Sequence, residues 1–122
     1  MADRRDPAMI GRDFDDLEEY RPAGHEGVVN RLLAGQATGD GNRVSIWHGR
    51  FEPGGRSGLH VHEHSLQIYV CLIGEMVVGD GSTESMIGPL GTTVVPEATP
   101  HFIENRSDGD AEVLVISVPA LR

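Results

Sequence analysis

Short apolar runs closed off by glycine, proline, aspartate or asparagine recur along most of this chain, and that rhythm excludes a helical bundle. Val28–Leu33, Arg43–Phe51, Leu59–His62, Gln67–Leu72, Glu75–Val78, Glu84–Ile87, Thr92–Val95, His101–Asn105 and Glu112–Val118 all read as strands. The breaks between them carry turn chemistry: Gly39–Asn42, Gly74, Gly79-Asp80-Gly81, Gly88-Pro89-Leu90-Gly91, Pro96–Pro100 and Ser107–Asp110. Glu52-Pro53-Gly54-Gly55-Arg56-Ser57-Gly58 is too rich in proline and glycine for an element interior and reads as a loop. Sixteen glycines and seven prolines fit an all-β sandwich or barrel.

At 122 residues the chain suits one domain, since either half alone would be too small to bury a core. Residues 1–24 are dominated by charge (Asp3, Arg4, Arg5, Asp6, then Asp13, Asp15, Asp16, Glu18 and Glu19) and are expected to form a mobile or docking arm, leaving 25–122 as the barrel. Within that arm Phe14, Leu17 and Tyr20 fall at helical spacing and suggest a short helix.

A formal net charge of −9 repels phosphate backbones and anionic membrane surfaces, so neither nucleic acid nor membrane is an expected partner. Cys71 is the single cysteine and forms no internal disulfide; no apolar stretch has the length of a span or the flanks of a secretion signal. A reducing, cytoplasmic setting is expected. Lying in the apolar run Ile68–Ile73, Cys71 reads as a packing residue, not a reactive thiol.

Chemistry concentrates in His60-Val61-His62-Glu63-His64-Ser65-Leu66-Gln67. Side chains two apart on a strand point to one face, so His60 and His62 look the same way and offer two imidazoles to one point. Periodicity alone does not bring Gln67 or His101 beside them. Glu63 follows the opposite parity and reads as solvated, while His64, where the chain must turn, is either idle or a proton shuttle near neutral pH. Tyr69 and Cys71 share the face of Gln67. In the preceding strand Trp47 and Phe51 share one face and His48 and Arg50 the other, with nothing local to say which is inward. The aromatic pair would contact a ligand by packing, the cationic pair by holding a carboxylate.

Gly54, His60, His62, Gln67 and Gly74 stand at the spacing of the first signature of the cupin superfamily, with Gln67 where the family usually has Glu. Pro96, Ala98, His101 and Asn105 resemble the second, with Ala98 in place of the usual Gly and Gly91 one residue closer to Pro96. Ala98 costs little if its backbone avoids positive φ. The resemblance implies an antiparallel cupin barrel, or jelly roll, with His60, His62, Gln67 and His101 holding one divalent transition metal (Mn, Fe, Ni, Co or Zn). Tyr69 and Cys71, on the face of Gln67, and Ile103 beside His101 would then form an apolar wall below the metal, with Trp47 and Phe51 as candidate pocket residues. The plainer alternative is a metal-free barrel with satisfied histidines. A neutral amide in place of a carboxylate leaves the ion more positive and a stronger Lewis acid.

Three functions follow from the resemblance. A Lewis-acid isomerase or lyase would act on a small oxygenated substrate, as in the uronate-opening cupins and cupin lyases, with His64 as catalytic base. A three-histidine dioxygenase would use the same ligands with a redox-active ion. A non-catalytic module would capture a small ligand. Homodimerisation is expected because Leu66, Ile68, Val70 and Leu72 project from the face opposite Gln67.

Overall fold

The computed structural model describes residues 11–35 and 43–121. Asp3–Asp6 and the turn expected at Gly39–Asn42 lie outside them. Among the described residues eight strands form the fold: β1 (His25–Ala34), β2 (Ser45–Ser57), β3 (Leu66–Ile73), β4 (Met76–Gly79), β5 (Glu84–Ile87), β6 (Thr92–Val95), β7 (Phe102–Glu104) and β8 (Ala111–Val118). All pair antiparallel in the order β5-β4-β7-β2-β8-β3-β6, with β1 on the free side of β2, giving the all-β barrel expected. Among the described residues no helix is long and apolar enough to cross a membrane.

Alternation along the strands builds the core. On β3, Gln67, Tyr69 and Cys71 are buried while Leu66, Ile68, Val70 and Leu72 are half-buried on the outer face. Cross-strand register carries that inner face sideways. Tyr69 stands opposite Val115, Val115 opposite Trp47 and Trp47 opposite Leu32, so Trp47 belongs to the inner set. His48 and Arg50 therefore face outward, where His48 meets Glu112 at 2.7 Å and Arg50 meets Asp110 at 3.6 Å. Val28, Phe51, Met76, Val78, Ile103, Ala111 and Val113 complete the apolar interior.

Three local expectations are corrected. The segment read as the loop Glu52–Gly58 runs as strand β2 through Ser57. Its register against β1 jumps from Val28↔Phe51 to Glu26↔Arg56, so Pro53-Gly54-Gly55 forms a bulge opposite Gly27. There the missing proline N–H breaks no ladder bond, and a Cβ at Gly55 would come within 2.6 Å of the Gly27 carbonyl oxygen. Leu59–His62 is not a strand but a single bridge, His60 to His101. The helix suggested by Phe14, Leu17 and Tyr20 is one 3-10 turn, Phe14–Asp16; Leu17 caps it in extended conformation and Tyr20 bridges to Asn30.

This N-terminal stretch lies against the outer sheet face. Phe14 stands edge-on to His48 with centroids 4.7 Å apart, and the Arg31 guanidinium sits 4.3 Å over the Phe14 ring while donating to the Phe14 carbonyl. Tyr20 then exchanges two 2.7 Å backbone hydrogen bonds with Asn30, turning the chain over the barrel's open end before β1 begins.

Candidate metal centre

His60 and His101 exchange backbone hydrogen bonds of 2.9 and 2.8 Å, and this one bridge sets their rings side by side with centroids 4.2 Å apart. The His62 carbonyl accepts from Ala98 N–H at 2.8 Å, tying the other histidine to the turn before His101. Its ring lies 4.9 Å from that of His60 and 5.4 Å from that of His101. One ring nitrogen from each of the three falls within 4.8 Å of the others.

Which nitrogens face the centre follows from the backbone. His60 Nδ1 lies 2.7 Å from the Gly58 carbonyl and His101 Nδ1 lies 2.8 Å from the Thr99 carbonyl. A carbonyl accepts only, so each Nδ1 carries the proton and each Nε2 of the neutral ring keeps a free lone pair. Gln67 enters from the start of β3. Its amide nitrogen donates to Ser117 Oγ at 3.2 Å, and its Oε1 accepts from the Tyr69 hydroxyl at 3.3 Å while lying 2.8 Å from His101 Nε2. In this orientation two lone pairs confront one another, an arrangement relieved by a cation bound to both. Neighbouring ligands about 2.1 Å from one ion at a right angle stand about 3 Å apart. Turned over, the amide would instead donate an N–H to the imidazole and close the site upon itself. Three imidazoles and an amide oxygen thus suit a divalent transition ion in composition, and the His101–Gln67 pair suits it in spacing as well.

Burial and mutual repulsion favour the unprotonated state such a site needs. The His62 imidazole is pushed down to about 4, chiefly by desolvation and then by the positive charge that His60, His101 and His25 would carry. His101 is also lowered, again chiefly by burial, against an opposing hydrogen bond to the Thr99 carbonyl. Burial raises the Tyr69 phenol, which stays protonated and continues to donate to Gln67.

Beside His60 and His62 opens a cavity of about 520 Å³ whose lining does not include His101. His60, His62, Gln67, Tyr69, Ile103, Trp47 and Phe51 line it. Cys71 does not: it is fully buried in the core with its thiol directed at the Ile73 and Gly74 carbonyls, and burial raises its pKa. Glu63 and His64 are exposed on the bend that leads to β3, and neither lines the cavity. His25 lines it instead, its ring 6.3 Å from that of His60 and its Nδ1 3.1 Å from the Ala23 carbonyl. No sequence signal marked His25, because its place depends on β1 register, His25 opposite Ser57.

Known proteins agree with this architecture. A solved Thermotoga maritima structure described as a predicted oxalate decarboxylase superposes with a TM-score of 0.79 at 25% identity, covering 91% of this chain and 99% of that one. The polyketide cyclase RemF from Streptomyces resistomycificus gives 0.78 at 20% identity over 91% of this chain and 80% of that one, a likeness of fold alone. In sequence, an oxalate-binding protein of Thermotoga maritima is 32% identical over 69 residues, a stretch that spans 57% of each chain. The family model described as the cupin domain matches residues 47–117, and with that span covering both histidine segments the chain belongs to the cupin family.

Proposed function

We propose that this cupin is a metal-dependent enzyme of the isomerase or lyase type acting on a small oxygenated molecule, with His60, His62, Gln67 and His101 holding one divalent transition ion. The observation that carries the reading is the pair of Nδ1–H groups spent on the Gly58 and Thr99 carbonyls, which leaves two unprotonated Nε2 atoms, that of His101 lying 2.8 Å from the Gln67 oxygen. When bound, the ion would supply Lewis acidity toward a substrate carbonyl or hydroxyl oxygen.

The chain's own groups supply the rest. The Gly58 and Thr99 carbonyls fix two ring orientations, and the Tyr69 hydroxyl holds the Gln67 oxygen toward the centre. Phe51 and Ile103, both buried, exclude water from the floor. His25, with Nδ1–H on the Ala23 carbonyl, keeps Nε2 free to take a proton inside the cavity, and is better placed for this than His64. The name of the oxalate-binding relative favours a second reading, a metal-containing module that holds a small ligand unchanged.

Elemental analysis of protein purified without chelators or an affinity tag tests the centre. About one equivalent of a divalent transition ion is expected, with a loss of at least ~100-fold in affinity in a folded His101→Ala variant. Unaltered metal content in that variant would overturn the assignment. Turnover of enols and hydroxy-ketones by the loaded protein separates enzyme from module, and O2 uptake marks dioxygenase chemistry. Homodimerisation is proposed through the outer face, where Ile68 stands opposite both Val94 and Ile116, and Ile116 opposite Ile46. Light scattering checks it, and a monomer at high micromolar concentration would count against it.

A further inference from the structure

We infer that the cavity takes a molecule with a single oxygen-bearing head and an apolar, ring-sized body, and discriminates against small dicarboxylates and sugar acids. The inference rests on the metal reading for the head and on the cavity walls for the body.

The walls are made by Tyr20, Val28, Trp47, Phe51, Tyr69 and Ile103, and no Lys, Arg, Asp or Glu is among the described residues that line the space. A carboxylate held there away from the ion would lose its hydration without a guanidinium or ammonium group to replace it. The guanidinium groups of β1 and β2 are committed elsewhere. Arg31 pairs with Asp15 and Glu19, and Arg50 with Asp110, all on the opposite sheet face, while Arg56 pairs with Glu26. Three neutral imidazoles and a neutral amide leave the charge of a bound ion uncompensated, so one enolate, phenolate or carbonyl oxygen is welcome at the centre. A second acidic group held away from the ion finds no Lys or Arg, only the Asn30 amide and the His25 ring.

Size points the same way. A space of about 520 Å³ falls within the range of sites that enclose whole small molecules, and the smallest dicarboxylates would leave most of it to water. At the rim, the Tyr20 and Trp47 rings stand 5.6 Å apart at 37°, an aromatic edge against which a planar body can stack. Tyr20 is half exposed, yet its backbone is held by the paired bonds to Asn30, so the ring is presented to the mouth from a fixed point.

The test is calorimetric titration of the zinc-reconstituted protein with 2-acetyl-1-naphthol, oxalate and D-galacturonate, metal content being measured separately. The naphthol is expected to bind at least ~tenfold tighter than either acid, and Tyr20→Ala to weaken it by ~tenfold while leaving oxalate affinity and zinc content unchanged. Trp47→Ala should act in the same direction if it folds; Tyr20, being half exposed, keeps the test alive if it does not. Oxalate binding as tightly as the naphthol, or a Tyr20→Ala variant with undiminished naphthol affinity, would sink the inference. If no zinc is taken up, the metal centre fails by itself, and the ratio of naphthol to oxalate binding on that metal-free protein still decides the cavity.

Discussion

His101 and Asn105 flank the three residues of β7, and they treat their polar atoms in opposite ways. Asn105, wholly buried, commits everything to the chain. Its amide nitrogen reaches the Phe51, Glu52 and Gly109 carbonyls at 3.0, 3.2 and 2.8 Å, and its oxygen accepts from the Ser107 N–H and hydroxyl at 3.0 and 2.7 Å. Its backbone joins in: Gly54 N–H donates to the Asn105 carbonyl and Asn105 N–H to that of Gly55, clamping the bulge of β2. His101, nearly as buried, commits only Nδ1 and turns Nε2 toward another acceptor. Polar satisfaction at one end of β7 holds the fold, and its shortfall at the other end leaves a lone pair for the proposed ion.

The strongest way to break this contrast is Asn105→Ala. Buried carbonyls and N–H groups left without partners cost about 1–3 kcal/mol each, so a loss of about 3 kcal/mol is expected from the urea midpoint of the metal-free protein. The folded fraction should still load metal. A loss below about 1 kcal/mol would mean that the network is decoration and the contrast false. By the same logic His62→Ala should cost metal affinity far more than stability, because its ring is half-buried and its share of the fold is the backbone bond to Ala98, which alanine keeps.

How far this was legible in the sequence depended on range. Parity along β3 placed Gln67, Tyr69 and Cys71 on the buried face, since alternation is local, whereas His60 and His62 come together from a single bridge and not from the strand that parity assumed. It could not decide between Trp47 and His48, because that choice is made by β8, where Val115 and Leu114 stand opposite them. The bulge at Pro53-Gly54-Gly55 read as loop for a sound local reason, and only the Asn105 clamp and Gly27 across the ladder reveal it as strand. His25 was invisible for the same cause: nothing near it in sequence states that β1 runs to the cavity mouth. Cys71 shows that parity gives a face but not a depth, as it points inward yet lies below the cavity floor.

Acid should sharpen the contrast next, with a smaller effect. In the metal-free protein the His62 imidazole sits at about 4 against an ordinary value of 6.5, so between those pH values the unfolded chain binds the proton that the folded chain refuses. Stability from this group is therefore intact above 6.5 and declines as pH falls toward 4. Urea midpoints should drop across that window in the wild type and drop less in His62→Ala, while saturating metal should flatten the decline by occupying the imidazoles. Equal slopes in wild type and variant would remove His62 from the account.

The smallest effect tests whether the site end carries backbone strain that the Asn105 end avoids. Ala98 adopts a φ of +57°, so the condition under which alanine costs little there is not met, and its N–H is the group that holds His62. A left-handed conformation costs a residue with a Cβ roughly 1–2 kcal/mol, and glycine gives back about 0.5–1 kcal/mol of that through its freer unfolded chain. Ala98→Gly should thus raise stability by about 0.5 kcal/mol, read as a small upward shift in urea midpoint with metal content unchanged. A lower midpoint would mean that the Ala98 methyl group earns more in contacts than its backbone loses, and that the turn before His101 is relaxed as it stands.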